Sequence, residues 1–383
     1  MARIVVVGGN FAGVTAALEV KRRLRKVPGE HRVTVISPSK KFLYVPSLIW
    51  VPFGKRKVSD ITFPIEPTFR KKGIEFVNDT AVRIDKESRE VTTERNGTIS
   101  YDYLVVATGV SLSFDGIPGF DKGYANHIVT PPAAEATKEA FERLVQDPGP
   151  VVVGAVQGAS CMGAAYEYLF NLERELRRHG VRKKVDITWI TPEPLLGHFG
   201  IGGILGGRRM LEAFMKMFRI RFIANAEVKE IHPARVEMAD GTALPYKLAM
   251  LIPPFRGAEV VADSPGLADD KGFIACHDTY ESKTDERIYA AGLAVQVLSP
   301  FGKTAVPFGI PKTGFPSEVQ GKLAARNIVA HLTGSEERKS MAFGRIPGVC
   351  IMDAGDKEVW ILTDHLFKPR KFEVLIPNVF INV

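Results

Sequence analysis

The residues best placed by type and spacing to do chemistry stand in one loop, Val151-Val-Val-Gly154-Ala-Val-Gln157-Gly158-Ala-Ser160-Cys161-Met-Gly163-Ala-Ala-Tyr166-Glu167. Three β-branched residues, a glycine-rich turn and a helix-forming run predict a βα unit of the nucleotide-binding kind. In such a unit a pyrophosphate lies at the helix N-terminus, where free N–H groups and the helix dipole favour an anion. Here a cysteine stands in the first helical turn. The same field stabilises a thiolate, so Cys161 is expected to have a lowered pKa and to act as a nucleophile near neutral pH. The other reading is a small core cysteine, and the loop alone leaves both open.

A second glycine loop begins the chain. Strand Arg3 to Val7 leads into Gly8-Gly9-Asn10-Phe11-Ala12-Gly13, then a helix from Val14 to about Arg25 and a strand from Arg32 to Ile36. Gly8 and Gly13 take the outer positions of GxGxxG, for the tight turn and for close helix–strand packing, and Asn10 replaces the middle glycine. The second strand ends Ile36-Ser37-Pro38 without the acidic residue that usually holds a ribose, and Ser37 offers a hydroxyl instead. Ala107-Thr108-Gly109 and Ala290-Ala291-Gly292 each close an apolar strand with a small-residue turn. The order is nucleotide unit, second nucleotide-like unit, return to the first. We therefore expect an α/β protein of two Rossmann-like dinucleotide-binding domains with a short C-terminal segment. The first domain takes 1–110 plus 275–335, the second 111–274, and the segment 336–383. Residues 197–207 are so rich in glycine that they read as a flexible apolar loop.

Composition narrows the class. The chain has 383 residues, 45% hydrophobic and 25% charged, enough for two ordinary domains and unlike a disordered protein. Nothing at the N-terminus resembles a signal peptide, and no apolar run approaches the roughly 20 residues of a spanning helix. The net charge of +8 is gathered in short clusters at Lys21–Lys26, Lys55–Lys57, Arg70–Lys72 and Arg182–Lys184. Such clusters favour anionic partners. With no nucleic-acid motif beside them, an anionic membrane surface is expected rather than nucleic acid. The cysteines Cys161, Cys276 and Cys350 are too far apart for a CxxC metal pair, so no metal site is expected.

Taken in order, these motifs resemble the flavoproteins with two dinucleotide domains, and within them the sulfide:quinone oxidoreductases. Four features carry the closer resemblance: Gly158-Ala-Ser-Cys161 with Ala165-Tyr166-Glu167, Leu196-Gly197-His198-Phe199-Gly200, Val306-Pro307 with Ile310-Pro311-Lys312-Thr313-Gly314, and Val349-Cys350-Ile351-Met352-Asp353. The resemblance implies FAD, with Gly8, Asn10, Phe11, Ala12, Gly13, Ser37, Pro46, Ala107, Thr108, Gly109, Gly292, Lys312 and Gly314 around it. Many relatives carry another cysteine in the segment matching Tyr124–Ile128, which serves some of them for covalent attachment. This chain has none there, so FAD is expected to be held non-covalently. Cys276, in the apolar strand expected over Gly272–Cys276, is read as structural.

The chemistry implied is oxidation of sulfide to zero-valent sulfur or polysulfide, with electrons passed to a membrane quinone. A cysteine pair alternates between thiolate, persulfide and sulfur bridge while the flavin takes the electrons in pairs. Cys161 is then the sulfur-holding partner and Cys350, by resemblance, the one that contacts the flavin. Glu167 is a candidate proton relay or a solvated helix carboxylate, and His198 a proton donor or a surface histidine. Lys312 is expected at a helix start beneath the flavin, stabilising negative charge there or on a quinol oxygen. Phe308, Phe315 and Phe343 are candidates for an apolar quinone slot, with Phe199 beside them. A peripheral, monotopic membrane protein is expected, on a face the sequence does not specify, with apolar tail residues Phe372, Val374, Leu375, Ile376 and Phe380 at the lipid, in the core or between the subunits of a homo-oligomer. The rivals are a type II NADH:quinone oxidoreductase and a flavocytochrome c-type sulfide dehydrogenase. The first would need an uninterrupted second glycine loop and an acidic residue closing the next strand, and this strand ends Trp189-Ile190-Thr191-Pro192. The second would need a flavin-attaching cysteine near Phe42 or Leu43.

Overall fold

A computed structural model describes residues 1–378, so the tail residue Phe380 lies outside the described residues. In chain order its framing elements begin with β1 (Ala2–Val7), α1 (Phe11–Leu24), β2 (His31–Ile36), β3 (Glu75–Val77) and β4 (Tyr103–Val106). Next come β5 (Val151–Ala155), α2 (Met162–Arg178), β6 (Ile187–Ile190), α3 (Gly207–Met217), β7 (Ile220–Ile223) and β8 (Leu248–Ile252). The chain closes with β9 (Ile288–Ala290), α4 (Gly314–Leu332), β10 (Gly348–Asp353), β11 (Glu358–Thr363) and β12 (Glu373–Asn378).

Two parallel sheets result, one of five strands in the order β9-β4-β1-β2-β3 and one of four in the order β7-β6-β5-β8. β1, β4, β5 and β8 read as almost continuous Val, Ile, Leu and Ala because both faces are covered, by helices on one side and largely by small antiparallel sheets on the other, leaving no polar side. The two crossings between the sheets run side by side, Val110–Leu112 pairing antiparallel with Phe255–Gly257.

α1 starts at Asn10, whose side-chain oxygen accepts the Phe11 N–H at 3.0 Å, and its last turn holds Lys21, Arg22 and Arg23, complementing the dipole. Its buried face, Ala12, Gly13, Ala16, Ala17, Val20 and Leu24, is small in the first turns, which lets α4 come close. A Cβ on Gly321 of α4 would stand only 2.7 Å from the Ala12 carbonyl oxygen. The first core gathers around this helix pair and the five-stranded sheet. A second core lies between the four-stranded sheet, α2 and the strands near the C-terminus.

β10, β11 and β12 form an antiparallel sheet whose two faces differ. Cys350, Ile361 and Leu375 share one cross-strand row, with Ile361 buried and Leu375 packed on the second core. The neighbouring row, Ile351, Trp360 and Ile376, points away, Ile351 being 57% and Ile376 48% exposed. The apolar tail is thus split between core and surface.

Three expectations fail locally. The glycine-rich segment 197–207 is not a loose loop. Glu193 accepts the Phe199 N–H, Tyr166 Oη accepts the Gly197 N–H, and Arg370 donates to the carbonyls of Ile201 and Gly203 at 2.7 and 2.6 Å. The segment Gly272–Cys276 is not a strand but makes isolated bridges, Ile274 with Val295 and Cys276 with Ser282. Two basic clusters also turn partly inward. Lys55 Nζ donates to Asn171 Oδ1 at 2.6 Å and pairs with Glu175 at 3.5 Å, and Arg182 caps the carbonyls of Val185 and Arg219 at 2.6 and 3.1 Å.

Candidate active site

At the head of β1 the chain turns sharply. Gly8 has φ of +123°, and a Cβ there would lie 2.1 Å from the Ala107 carbonyl oxygen, so only glycine fits between β1 and the turn after β4. Gly13 is as tight, its imagined Cβ 2.0 Å from the Gly8 oxygen. Gly292 donates its N–H to Gln320 Oε1 at 2.7 Å, and Phe11 stacks edge-on against Phe42 at 4.9 Å with Gly314 close by. The structure therefore brings Gly8 through Gly13, Ala107, Thr108, Gly292 and Gly314 to one end of the first sheet, on either side of the α1 N-terminus. Two polar atoms there, Thr108 Oγ1 and Gln320 Nε2, are buried without a hydrogen-bond partner. A helix N-terminus without an acidic residue in its first turn, a backbone with no room for Cβ atoms, and unpartnered polar atoms fit a bound dinucleotide such as FAD. The Ser37 hydroxyl lies against Gly9 and is engaged in its own turn with Ser39. Pro46 is exposed in the first turn of the 3-10 helix Val45–Phe53.

The second glycine loop is built differently. Gly158 donates its N–H to the Pro307 carbonyl at 2.7 Å, and Gly309 donates to the Ala159 carbonyl at 2.7 Å. A Cβ on Gly309 would sit 2.0 Å from Ser160 Oγ. The chain's own segment 307–312 therefore lies on the turn where a nucleotide-binding unit would hold pyrophosphate. Glu193, three residues beyond β6, is fully buried and accepts from Thr191 Oγ1 at 2.9 Å, Tyr166 Oη at 3.2 Å and the Phe199 N–H at 2.5 Å. Its carboxyl is turned into the protein, and burial raises its pKa to about 7.

Cys161 is the cap residue of α2 rather than part of its first turn, and its thiol makes no bond to the helix N–H groups. Sγ donates instead to the Lys312 carbonyl at 3.6 Å. The expected lowering of its pKa does not occur. Burial pushes the thiol up to about 11, and the Lys312 ammonium opposes this only in part. Lys312 itself, just before Thr313 caps α4, is tied down. Its Nζ donates to the carbonyls of Leu293 and Val295 at 2.9 and 3.1 Å and lies 4.1 Å from the Phe273 ring centre. Burial lowers its pKa to about 8.

Glu167 lies one and a half turns along α2. Its Oε1 accepts the N–H of Asp353 at 2.9 Å, which fastens β10 to the helix. Burial raises its pKa to about 8, the Asp353 N–H bond opposing this in part and the Asp353 charge adding to it. Cys350 sits on β10 three residues before Asp353, on the strand face that looks toward the second core. Its side chain is exposed, yet surrounding protein and the Glu167 charge push the thiol up to about 12. α2 thus carries Cys161 at its start and Glu167 further along, and the strand docked on it carries Cys350. Cys276 lies apart on the first core, its Sγ donating to the Ile274 carbonyl at 3.6 Å.

His198 is no surface residue. Its ring lies between Phe301 and Phe308 at 4.8 and 4.9 Å, its Nδ1 is buried without a partner, and burial lowers its pKa. The row continues from Phe301 to Phe367 at 5.9 Å and on to Phe343 at 5.7 Å. Phe308 and Phe343 are brought into this row, whereas Phe315 stands away at the start of α4, 38% exposed. Sequence reasoning missed Phe301, Phe367, Asp353 and Glu193. The first two sit in stretches with no periodic signal. Asp353 closes a motif already singled out for its cysteine.

The chain matches the pyridine nucleotide-disulphide oxidoreductase family over residues 2–306. It is 35% identical over 374 residues to the sulfide-quinone reductase of Aquifex aeolicus, covering 96% of this chain and 85% of that protein. It is 23% identical over 320 residues to the mitochondrial sulfide:quinone oxidoreductase of Mus musculus, covering 79% and 67%. The X-ray structure of the Aquifex aeolicus sulfide:quinone oxidoreductase superposes with a TM-score of 0.93 at 34% identity, over 99% of this chain and 88% of that one. An NDH2 from Plasmodium falciparum in complex with NADH shares the fold at a TM-score of 0.74 and 13% identity, over 98% and 91%. With two glycine loops of which one is filled, Cys161 heading the helix that carries Glu167, Cys350 on the strand docked there, and these likenesses over nearly its whole length, the chain belongs to the pyridine nucleotide-disulphide oxidoreductase family and, within it, to the sulfide:quinone oxidoreductases.

Proposed function

We propose that the chain oxidises sulfide to zero-valent sulfur or polysulfide through Cys161 and Cys350 and delivers the two electrons to a quinone. The observation that carries this reading is the joining of β10 to α2 at Glu167, which sets both cysteine-bearing elements against one carboxyl group. FAD, held non-covalently at Gly8–Gly13, Thr108, Gly292 and Gln320, supplies a two-electron acceptor that passes electrons onward. In this division 1–110 and 275–335 bind FAD, 111–274 carries Cys161, and 336–383 carries Cys350.

With both thiols pushed upward, sulfur chemistry needs a base, and Glu167 is placed to be it. In the oxidised state a sulfur bridge would join Cys161 to Cys350. Hydrosulfide bonds to the sulfur on Cys161 as the bond from that sulfur to Cys350 breaks, leaving the electron pair on Cys350, and withdrawal of that pair toward the quinone would restore the bridge. The proton of the incoming sulfur goes to the Glu167 carboxylate. Overall, hydrosulfide, one proton and quinone give zero-valent sulfur and quinol. His198 and the aromatic row from Phe308 to Phe343 suit a flat apolar acceptor, with the unpartnered Nδ1 able to bond a quinone oxygen. Lys312 serves by fixing the segment 307–312 that receives the Cys161 thiol.

No helix among the described residues is long and apolar enough to cross a membrane. The outward row Ile351, Trp360 and Ile376, with the remaining outward-facing basic residues, is the surface we assign to peripheral contact with an anionic bilayer. Reduction by NADH is disfavoured by the filled second loop and the inward Glu193. Anaerobic titration separates the two. Sulfide should bleach the flavin absorbance and added quinone restore it, and NADH should leave it unchanged. Bleaching by NADH alone would overturn the reading.

A further inference from the structure

The carboxylate of Asp353 has no part in the chemistry above, yet it is engaged from two sides. Its Oδ2 accepts the indole N–H of Trp50 at 2.7 Å and its Oδ1 accepts the Gly355 N–H at 2.8 Å. These bonds turn the end of β10 so that the Asp353 N–H meets Glu167 Oε1. The turn that follows is pressed on α2. A Cβ on Gly355 would stand 2.7 Å from the Phe170 carbonyl oxygen, and Asp356 pairs with Arg174 at 2.9 Å and with Arg177. The Asp353 carboxyl is therefore held beside Glu167 by a rigid turn and an indole, at the base of the strand that bears Cys350.

We propose that Asp353, oriented by Trp50, is a positioning residue of the reaction, fixing the Glu167 carboxyl beside Cys350 through its backbone N–H and acting on it by charge. The inference rests on the proposed sulfide oxidation and on Glu167 as its base. The balance is a simple proton transfer, from the sulfur to the Glu167 carboxylate and then to water, with no electrons moved. The groups facing Glu167 are Asp353 and Cys350 from β10; Lys55, from beyond the Val45–Phe53 helix, faces Asp353 and, along α2, Arg174 and Glu175. Lys55 is itself bonded to Asn171, whose side chain donates to the Glu167 backbone carbonyl at 3.0 Å. Asp353 is thus the nearby carboxylate that acts on Glu167 by charge as well as by geometry.

The test is the pH profile of kcat/KM for sulfide-dependent quinone reduction by the flavin-loaded enzyme, for the native chain, Asp353→Asn, Trp50→Phe and Glu167→Gln. Sulfide's own ionisation is common to all and cancels in the comparison. Asp353→Asn should move the acid limb down by about one pH unit, since loss of the neighbouring charge removes repulsion that favours the protonated Glu167 carboxyl. Trp50→Phe keeps the charge but removes its donor and should move the limb the other way, so it carries the test if Asp353→Asn does not fold. An acid limb unmoved in whichever of the two variants folds, or moved upward in Asp353→Asn, overturns the assignment. Glu167→Gln should erase the limb and cut kcat. If it does neither while the native enzyme still bleaches with sulfide, Glu167 is not the base and the proposal falls with it. If the native enzyme does not bleach with sulfide, it is the underlying function that fails.

Discussion

Replacing Glu193 by glutamine tests the central packing of the second domain more sharply than any other single change. The carboxyl is fully buried, and burial lifts its pKa from 4.5 to about 7. A carboxyl whose folded value is raised binds protons more tightly in the folded chain, so it favours folding at low pH and opposes it as pH rises from about 4.5 to about 7. The span corresponds to about 3 kcal/mol at 1.36 kcal/mol per pH unit, saturating above about 7. Glutamine keeps the shape and one acceptor, does not titrate, and leaves one of the three donors from Thr191, Tyr166 and Phe199 facing an NH2 group, costing about 1–2 kcal/mol at every pH. The assay is thermal unfolding of both proteins from pH 4.5 to 8. The native Tm minus the variant Tm should fall with rising pH, by about 6 °C or more at 2–4 °C per kcal/mol for a cooperative unit of roughly 150–250 residues, and then level off. Glu167 contributes a slope of the same sign, but it is present in both proteins and cancels. A difference in Tm that stays constant across this range would refute the reasoning.

Cys161→Ser and Cys350→Ser should each abolish sulfide-dependent quinone reduction while Cys276→Ser keeps most of it, as read by quinol formation. Acid precipitation should release all yellow colour into the supernatant, since no cysteine stands in the segment Tyr124–Ile128 that matches the covalent attachment site of some relatives. Gly8→Ala, whose methyl would meet the Ala107 oxygen, should yield protein with flavin occupancy reduced at least tenfold by absorbance. Ile351→Ser with Ile376→Ser should weaken binding to anionic vesicles without lowering Tm, and salt should weaken it in both proteins. Truncation after Arg370 removes β12 and its pairing with β11, so it should destabilise the fold and is a poor probe of lipid contact.

The elements that were legible in sequence are those with one strong local cause. β1, α1 and β2 fall within three residues of the expected limits because β-branched runs and a capped glycine loop leave few alternatives. Cys161 was found because a cysteine interrupts a familiar pattern. Its ionisation was misjudged because a helix N-terminus argues for a thiolate only when solvent or a donor reaches the sulfur, and burial is a tertiary fact. His198 and the segment around it read as loose for the same reason. Glycines speak of turns, whereas the anchors Glu193, Tyr166 and Arg370 are 5 to 172 residues away from that histidine in sequence. Asp353 and Trp50 are 303 residues apart, and nothing local signals that they meet.

The segment 307–312 lying on the second glycine loop amounts to a ligand the protein carries with it. A tethered occupant competes at an effective concentration set by the chain, in the millimolar range or above for a short connection, and never dissociates into bulk solvent. A free nucleotide would have to displace it and expose the two backbone hydrogen bonds it makes, with each 1.4 kcal/mol of that displacement costing tenfold in affinity. On the proposed function, discrimination against nicotinamide nucleotides is settled once, when the chain folds, and their concentration in the surroundings has little hold on it. On that reading the electron donor is chosen by intramolecular competition.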